Sequence, residues 1–220
     1  MTRSELASFI DHTVLKPDTR AAAIEKLCEE AREYNFAAVC VPARWVSLST
    51  SLLKDSGVLV ATVVGFPHGD TLSRAKADET RAAIEAGADE VDMVISVGAA
   101  LDSDWNYVRE DIAAVVEAAG GKAVVKVIFE NAYLDQSQIV LACRASMDAG
   151  ADYVKTSTGF AASGAKVEEV ALMRQTVGQA LGVKAAGGIR DLSTALAMIE
   201  AGASRLGCSA SIAIVNSLQD

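Results

Sequence analysis

The segment Asp148-Ala149-Gly150-Ala151-Asp152-Tyr153-Val154-Lys155-Thr156-Ser157-Thr158-Gly159-Phe160 joins a predicted helix to a short apolar strand that ends on a lysine. Its first five residues recur with small changes as Glu85-Ala86-Gly87-Ala88-Asp89 and Glu200-Ala201-Gly202-Ala203-Ser204. Each copy places a glycine where a helix stops in the left-handed conformation, just before a strand. The repeat therefore indicates helix-to-strand units that share one register.

Apolar strands and amphipathic helices alternate along the whole chain. We predict strands at 9–15, 36–41, 58–66, 90–97, 122–130, in the run ending on Lys155, at 182–186 and at 204–207. The predicted helices lie at 17–34, 43–53, 71–85, 105–118, 136–148, 167–177, 192–200 and from about 209 onward.

The predicted strands are nearly continuous apolar runs, which is typical of a parallel sheet covered on both faces. Eight βα units in 220 residues fit an α/β fold with one (β/α)8 TIM barrel, a single catalytic domain over residues 1–220. The alternative is an open doubly wound sheet. That fold would more often carry a glycine-rich loop after its first strand, and the loop is missing here.

Composition excludes several classes of partner. The chain has 20 basic and 29 acidic residues, a net charge of -9, with no basic patch or arm, so we expect no nucleic acid and no membrane as partner. Residues 1–10 lack the features of a signal peptide. The cysteines lack metal-binding spacing and indicate reduced thiols in the cytoplasm. They are Cys28, Cys40, Cys143 and Cys208.

Charged residues interrupt four consecutive apolar strands. They are Asp92, Lys126, Lys155 and Lys184. Chemistry in a (β/α)8 barrel takes place at the carboxyl ends of the strands, so this pattern indicates an active site. The alternative that stays open is a structural cluster of ion pairs inside the barrel.

The functional interpretation assigns a role to each of these side chains. Lys155 is the nucleophile, because a neutral amine attacks carbonyl groups. Lys184 would lower the pKa of Lys155 by repulsion, and Asp92 would relay protons. For Lys126, an ion pair with Asp92 or Glu130 competes with a catalytic role.

Small residues after the last strands predict a phosphate site. The candidates are Gly159 after the sixth strand, Gly187 and Gly188 after the seventh, and Gly207 and Ser209 after the eighth. Backbone N–H groups in these loops of a barrel often hold phosphate. The alternative is that the glycines only make tight turns.

Other chemistries find little support. A metal-dependent aldolase would need a cluster of histidines, and His12 and His68 are the only two. A serine hydrolase would need a Gly-x-Ser-x-Gly turn, which is absent. We therefore expect no metal and no cofactor, and we interpret His12 as a buried, hydrogen-bonded strand residue. Further candidates for the pocket are Asp11, Thr13, Cys40, Lys126 and Thr158.

Seven segments that together span nearly the whole chain resemble the deoxyribose-phosphate aldolase family. They are Ile10-Asp11-His12-Thr13-Val14-Leu15-Lys16-Pro17, Val39-Cys40-Val41, Val64-Gly65-Phe66-Pro67, Glu90-Val91-Asp92-Met93-Val94-Ile95, Val154 to Phe160, Val183 to Arg190 and Arg205-Leu206-Gly207.

The resemblance implies a metal-free (β/α)8 barrel that reversibly cleaves 2-deoxy-D-ribose 5-phosphate to D-glyceraldehyde 3-phosphate and acetaldehyde in deoxynucleoside catabolism. It implies Lys155 as the Schiff-base lysine, Lys184 as the second lysine, Asp92 as the proton relay, and a homodimer. This chain departs from the family in the glycine-poor loop 161–164, in Val41-Pro42-Ala43, and in ending on Leu218-Gln219-Asp220 without a tyrosine.

Two rival functions stay open. One is another phosphate-binding barrel, an isomerase or synthase that uses Lys155 as an acid or base. The other is a catalytically silent barrel that binds phosphosugars.

Overall fold

The computed structural model describes residues 1–218, and the strands of this part of the chain close into a parallel barrel. Each strand pairs with the next along the chain, and the eighth pairs with the first. The strands are β1 Ile10–Thr13, β2 Ala38–Val41, β3 Leu59–Val64, β4 Glu90–Val94, β5 Val124–Ile128, β6 Tyr153–Lys155, β7 Gly182–Ala186 and β8 Arg205–Cys208. The predicted (β/α)8 barrel is confirmed, and the open sheet is wrong.

Helices follow the strands and cover the outside of the barrel. They are α1 Arg3–Ala7, α2 Ala21–Tyr34, α3 Val46–Leu52, α4 Ser73–Glu85, α5 Val97–Leu101, α6 Trp105–Ala119, α7 Gln136–Asp148, α8 Val167–Val177, α9 Leu192–Glu200 and α10 Ser211–Asn216. No helix within residues 1–218 is long and apolar enough to cross a membrane.

Most element bounds agree with the sequence, and the exceptions lie in the loops. The helix expected from residue 17 begins at Ala21, because Arg20 before it is extended. The strand expected over 90–97 ends at Val94, and α5, which was not predicted, begins at Val97. The one-turn 3-10 helices Ala43–Trp45 and Asn131–Tyr133 and helix α1 also modify the predicted pattern.

The internal repeat ends α4, α7 and α9 in the same way. Gly87, Gly150 and Gly202 all have positive φ, at 103°, 78° and 106°. In each copy the next residue donates its N–H to the carbonyl five positions earlier, over 2.9–3.1 Å. This hydrogen bond satisfies a carbonyl that the end of the helix leaves free.

The last residue of each repeat then locks two strands together. Asp89 accepts the N–H of Val60 over 2.8 Å, and Asp152 accepts that of Val125 over 2.8 Å. Ser204 acts in the same way, because its Oγ accepts the N–H of Val183 in β7 over 3.1 Å. The repeat therefore fixes the register of the pairs β3–β4, β5–β6 and β7–β8.

Alternate strand residues face outward or into the barrel. The outward-facing residues are mainly Val, Ile and Leu, which are buried against the helices. Each of these fully buried side chains stabilises the fold by roughly 1.5–3 kcal/mol. The inward residues form three layers of four, as is usual for this fold. From the amino to the carboxyl ends of the strands, the layers are Ala38, Glu90, Tyr153 and Arg205, then Asp11, Ala61, Lys126 and Lys184, then Cys40, Asp92, Lys155 and Gly207.

Candidate active site

The carboxylate of Asp92 lies at the centre of a cluster of three lysines. Its Oδ2 accepts hydrogen bonds from Nζ of Lys155 and Nζ of Lys184, each over 2.7 Å. Its Oδ1 accepts from Nζ of Lys126 over 2.8 Å. The structure therefore brings together all four charged residues that interrupt the apolar strands.

The strand register explains why these side chains meet. Asp92 of β4 is opposite Lys126 of β5, and Lys155 of β6 is opposite Lys184 of β7. Neighbouring strands lie about 4.8 Å apart, so side chains on the same face converge inside the narrow barrel. All four side chains are buried, with Lys155 at 3% exposure.

The two lysines on β6 and β7 have opposite pKa shifts. Burial and repulsion by Lys184 lower the pKa of Lys155 below its ordinary value, although Asp92 acts in the other direction. Burial also acts against the charge of Lys184, but Asp11 and Asp92 outweigh it and raise its pKa well above the usual range. The amine of Lys155 is thus more readily uncharged than that of Lys184.

Asp92 remains a carboxylate in this environment. Burial acts to raise its pKa, but Lys126, Lys155 and Lys184 together hold the pKa well below its ordinary value. Repulsion by Lys184 contributes to the lowered pKa of Lys155, as the sequence predicts, and burial is the larger cause.

Lys126 belongs to the interior of the barrel. It is fully buried, and its Nζ lies 2.5 Å from Oε2 of Glu90 as well as 2.8 Å from Asp92. The ion pair with Asp92 is therefore confirmed. The alternative pair with Glu130 is wrong, because the Glu130 carboxylate accepts hydrogen bonds from Thr158.

A cavity of about 570 Å³ opens at the carboxyl ends of the strands, and Lys155 reaches into it. Thr13 and Thr158 line its wall, as the sequence predicted for pocket residues. Phe160 also lines it and packs edge-on against Phe66 at 5.3 Å between ring centroids.

The predicted phosphate residues all line this cavity. They are Gly159, Gly187, Gly188, Gly207 and Ser209. Two loops meet at this wall, because Ala165 donates its N–H to the carbonyl of Gly187 over 3.0 Å. A side chain at Gly164 would lie 2.1 Å from that carbonyl oxygen. The glycine that remains in the glycine-poor loop 161–164 is thus at the position where the loops touch. Lys16 and Arg190 place positive charge at the rim.

Three of the predicted pocket residues lie elsewhere. Asp11, Cys40 and Lys126 are fully buried and are not among the described residues that line the cavity. Asp11 binds Lys184 and Arg205 below the cavity. Cys40 packs inside the barrel, where burial raises the pKa of its thiol. Asp11 and Lys126 lie one layer deeper in the barrel than Lys155, and Cys40 lies in the same layer as Lys155.

Sequence reasoning missed Glu130, which supports the turn after β6. The N–H of Thr158 lies 3.3 Å from both carboxylate oxygens of Glu130, and the Thr158 hydroxyl donates to Oε2. Glu130 has a left-handed backbone with φ 55°, which costs a residue with a side chain about 1 kcal/mol or more. A charged residue at the end of the β5 strand was the visible signal.

The histidines stand apart from the cluster. His12 is buried and bonds Ser211 and Glu30, each over 2.9 Å, as expected for a strand histidine. His68 lines a separate, smaller cavity next to Glu130. Among residues 1–218, no group of three His, Cys, Asp or Glu side chains is placed to hold a metal ion.

A closed (β/α)8 barrel with a cavity and buried charged side chains at the carboxyl ends of its strands has the architecture of a barrel enzyme. The chain belongs to the DeoC/LacD aldolase family, whose model matches residues 6–216.

Individual relatives agree with this assignment. The deoxyribose-phosphate aldolase of Halalkalibacterium halodurans is 57% identical over 217 residues, which is 98% of this chain and 96% of that protein. The crystal structure of a putative deoxyribose-phosphate aldolase from Coccidioides immitis has a TM-score of 0.95 at 41% identity, covering 99% of this chain and 86% of that one. The tetrameric deoxyribose phosphate aldolase of Aeropyrum pernix has a TM-score of 0.91 at 32% identity, covering 98% and 92%.

Proposed function

We propose that this protein is a class I aldolase that reversibly cleaves 2-deoxy-D-ribose 5-phosphate to D-glyceraldehyde 3-phosphate and acetaldehyde. The observation that carries the proposal is the amine of Lys155, which reaches into the cavity and shares one oxygen of Asp92 with Lys184. The family and the names of the relatives support the choice of substrate.

The first step uses the neutral amine of Lys155. It attacks C1 of the open-chain aldehyde, and loss of water from the carbinolamine leaves an iminium ion. Protons must reach the departing hydroxyl in this step. Lys184 carries a proton beside Asp92, and the Asp92 carboxylate, which also accepts from Lys155, can relay that proton to the substrate.

The second step breaks the bond between C2 and C3. A base removes the proton of the C3 hydroxyl, the C2–C3 electron pair moves toward the iminium nitrogen, and D-glyceraldehyde 3-phosphate leaves. The enamine that remains takes a proton at C2, and water then releases acetaldehyde from Lys155. Asp92 serves these proton transfers directly or through a water, since its carboxylate stays ionised.

The phosphate would bind at the wall formed by the loops after β6, β7 and β8. Gly159, Gly188 and Ser209 line this wall, and small residues let backbone N–H groups approach an anion. Lys16 and Arg190 at the rim add positive charge to a protein whose net charge is -9.

The proposal is tested by reducing the protein with borohydride in the presence of acetaldehyde and mapping the ethylated lysine by mass spectrometry. We expect saturable labelling of the peptide with Lys155, and 2-deoxyribose 5-phosphate with borohydride should label the same peptide. Labelling of the exposed Lys166 measures the unspecific background in the same sample. A Lys155→Met variant should lose the saturable label.

The same experiment separates the rival functions. An isomerase or synthase would turn over a phosphosugar without a trapped adduct, and a silent barrel would show no cleavage of 2-deoxyribose 5-phosphate. A saturable label on Lys184 or Lys126 would reverse the assignment of the nucleophile. The role in deoxynucleoside catabolism, the cytoplasmic location and the homodimer stay predictions.

A further inference from the structure

A charged layer closes the end of the barrel that lies opposite the cavity. Glu90, Tyr153 and Arg205 are the first residues of β4, β6 and β8, so they lie at the amino ends of the strands. Nη1 of Arg205 lies 3.1 Å from Oε2 of Glu90, and Nη2 lies 3.2 Å from Oε1. The guanidinium also lies over the Tyr153 ring, 5.7 Å from its centroid. This bidentate ion pair fixes the orientation of the Arg205 guanidinium.

Both members of this pair contact the layer above. Nη1 of Arg205 donates to Oδ1 of Asp11 over 2.6 Å, while Oδ2 of Asp11 accepts a hydrogen bond from Lys184. Oε2 of Glu90 lies 2.5 Å from Nζ of Lys126. The far end of the barrel is thus linked to the cluster around Asp92 by direct ion pairs.

The ion pairs form a closed ring of six alternating charges. Three cations each bridge two carboxylates: Lys126 bridges Glu90 and Asp92, Lys184 bridges Asp92 and Asp11, and Arg205 bridges Asp11 and Glu90. The contacts that close the ring are all within 3.2 Å.

Lys155 is attached to this ring from outside, through Asp92 alone. The strands β2 and β3 add no further charge to the interior. β3 has no titratable side chain, and β2 contributes only the thiol of Cys40, whose pKa is raised by burial. With three carboxylates and three cations in the ring, the interior is neutral when Lys155 is uncharged. A buried net charge is costly, so the ring favours the free amine.

We propose that Glu90 and Arg205 are positioning residues for Lys155, which complete the ring and thereby hold the nucleophile as a free amine from the opposite end of the barrel. The inference rests on the proposed role of Lys155. It assigns a function to two side chains that do not line the cavity and do not touch a substrate bound there.

The proposal predicts shifts of opposite sign for the two members of the pair. In Arg205→Gln one positive charge is lost, and Asp11 and Glu90 attract Lys184 and Lys126 away from Asp92. Asp92 is then free for Lys155, so the pKa of Lys155 rises. In Glu90→Gln one negative charge is lost and Lys126 turns to Asp92, so the pKa of Lys155 falls. A unit charge roughly 10 Å away shifts a pKa by about one unit at an effective dielectric near 20.

The test is a pH titration of protein labelled with ¹³C at the lysine Cε, followed by NMR. The signal of Lys155 is assigned by its loss in Lys155→Met. This readout needs no turnover, so a failure of the proposed function appears in the trapping experiment and leaves the titration interpretable. We expect a rise of about one unit in Arg205→Gln and a fall of about one unit in Glu90→Gln.

The double variant Glu90→Gln/Arg205→Gln supplies the decisive comparison, because it removes one charge of each sign. We expect its Lys155 pKa to return to the wild-type value. Arg205→Lys keeps the charge and should also stay near wild type. The matched control is Glu85→Gln, which removes an exposed carboxylate at the end of α4, five positions before Glu90, and should leave the pKa of Lys155 unchanged.

Shifts of the same sign in both single variants, or no shift in either, would overturn the proposal. The proposal would also be overturned if the Lys155 pKa in the double variant differed from the wild-type value as much as it does in either single variant. If one single variant does not fold, the sign of the Lys155 pKa shift in the other variant and the return of this pKa to the wild-type value in the double variant still decide. If neither folds, a Lys155 pKa displaced from wild type in the double variant overturns the proposal.

Discussion

Lys155 and Lys184 lie opposite each other in the register of β6 and β7, and their amines share one oxygen of Asp92. Two ammonium groups ~4 Å apart repel by ~4 kcal/mol at an effective dielectric near 20, before any relaxation. Lys184 has a second carboxylate, Asp11, and Lys155 does not. The proton is therefore held more firmly on Lys184 than on Lys155, whose amine faces the cavity.

Removal of Lys184 should raise the pKa of Lys155. In Lys184→Leu the repulsion between the two ammonium groups is lost, and Lys155 no longer shares Oδ2 of Asp92 with a second lysine. Both changes favour the charged form of Lys155. Because only the free amine reacts, the rising acid limb of the pH–rate profile should move up by about one unit or more. The measurement is the rate of adduct formation with acetaldehyde as a function of pH.

The control for this variant is Lys184→Arg, which keeps a cation between Asp11 and Asp92. Its acid limb should stay closer to that of the wild type. Adduct formation in Lys184→Leu should recover at high pH, since the nucleophile is intact. Loss of the adduct at every pH in a folded protein would show that Lys184 itself is the nucleophile.

A negative charge at Ser209 should act against phosphate. Ser209 lines the cavity beside Gly207 and Gly188, so the carboxylate of Ser209→Asp would repel the phosphate of the substrate. We expect KM for 2-deoxyribose 5-phosphate to rise by about tenfold or more, which corresponds to ~1.4 kcal/mol. KM for unphosphorylated 2-deoxyribose should change little.

Ser209→Asn is the matched control, because asparagine has the size of aspartate without its charge. It should leave KM for the phosphorylated substrate much closer to the wild-type value. An equal rise of KM for both substrates in Ser209→Asp would place the phosphate elsewhere in the cavity.

Chelation should leave cleavage of the sugar phosphate unchanged. Within residues 1–218 no three His, Cys, Asp or Glu side chains are placed to hold a metal ion, and the proposed reaction uses the iminium ion on Lys155 as its electron sink. The measurement is the cleavage rate after dialysis against EDTA, with and without added Mg²⁺ or Zn²⁺. Loss of activity on dialysis that a divalent ion restores would contradict the lysine mechanism.

The buried ion pair between α4 and α6 should matter for stability. Lys76 lies 2.5 Å from Asp111 and also donates to the carbonyl of Val94, and both charged side chains are fully buried. Lys76→Met leaves the Asp111 carboxylate buried and unpaired, so it should lower the free energy of unfolding by about 3–5 kcal/mol. Urea denaturation measures this change.

Two comparisons test the physical reason. The double variant Lys76→Met/Asp111→Leu removes both charges and should recover much of the lost stability. Arg81→Ala breaks an exposed pair with Asp78 and should cost no more than about 1 kcal/mol. A loss in the double variant as large as in Lys76→Met would mean that packing, not the unpaired charge, sets the cost.

The barrel could be predicted from the sequence because its signals are local. The bounds of α7, α8 and α9 and of β7 coincide with the predicted ones. Helix periodicity and the stop signals at Gly150 and Gly202 depend on residues within a few positions of each other. Bounds failed at short loop helices such as α5, where only tertiary contacts decide whether a turn continues as a strand.

The sequence by itself also determined that Asp92, Lys126, Lys155 and Lys184 enter neighbouring strands, since the order of strands in a barrel follows the order in the chain. Sequence position could not decide how far each side chain lies from the mouth. Asp11 and Lys126 were expected at the pocket and lie buried below it, because the stagger of the strands sets the depth of each layer.

Only the tertiary structure decided which charges pair. The ring that includes Glu90 and Arg205 joins residues up to 194 positions apart in the chain, and no local pattern in the sequence marks such contacts. The reason is physical: a buried charge needs a partner within a few ångströms, and closing the barrel is what brings those partners to that distance. The same closure buries Lys155 beside one shared carboxylate oxygen, and burial lowers the pKa of its amine.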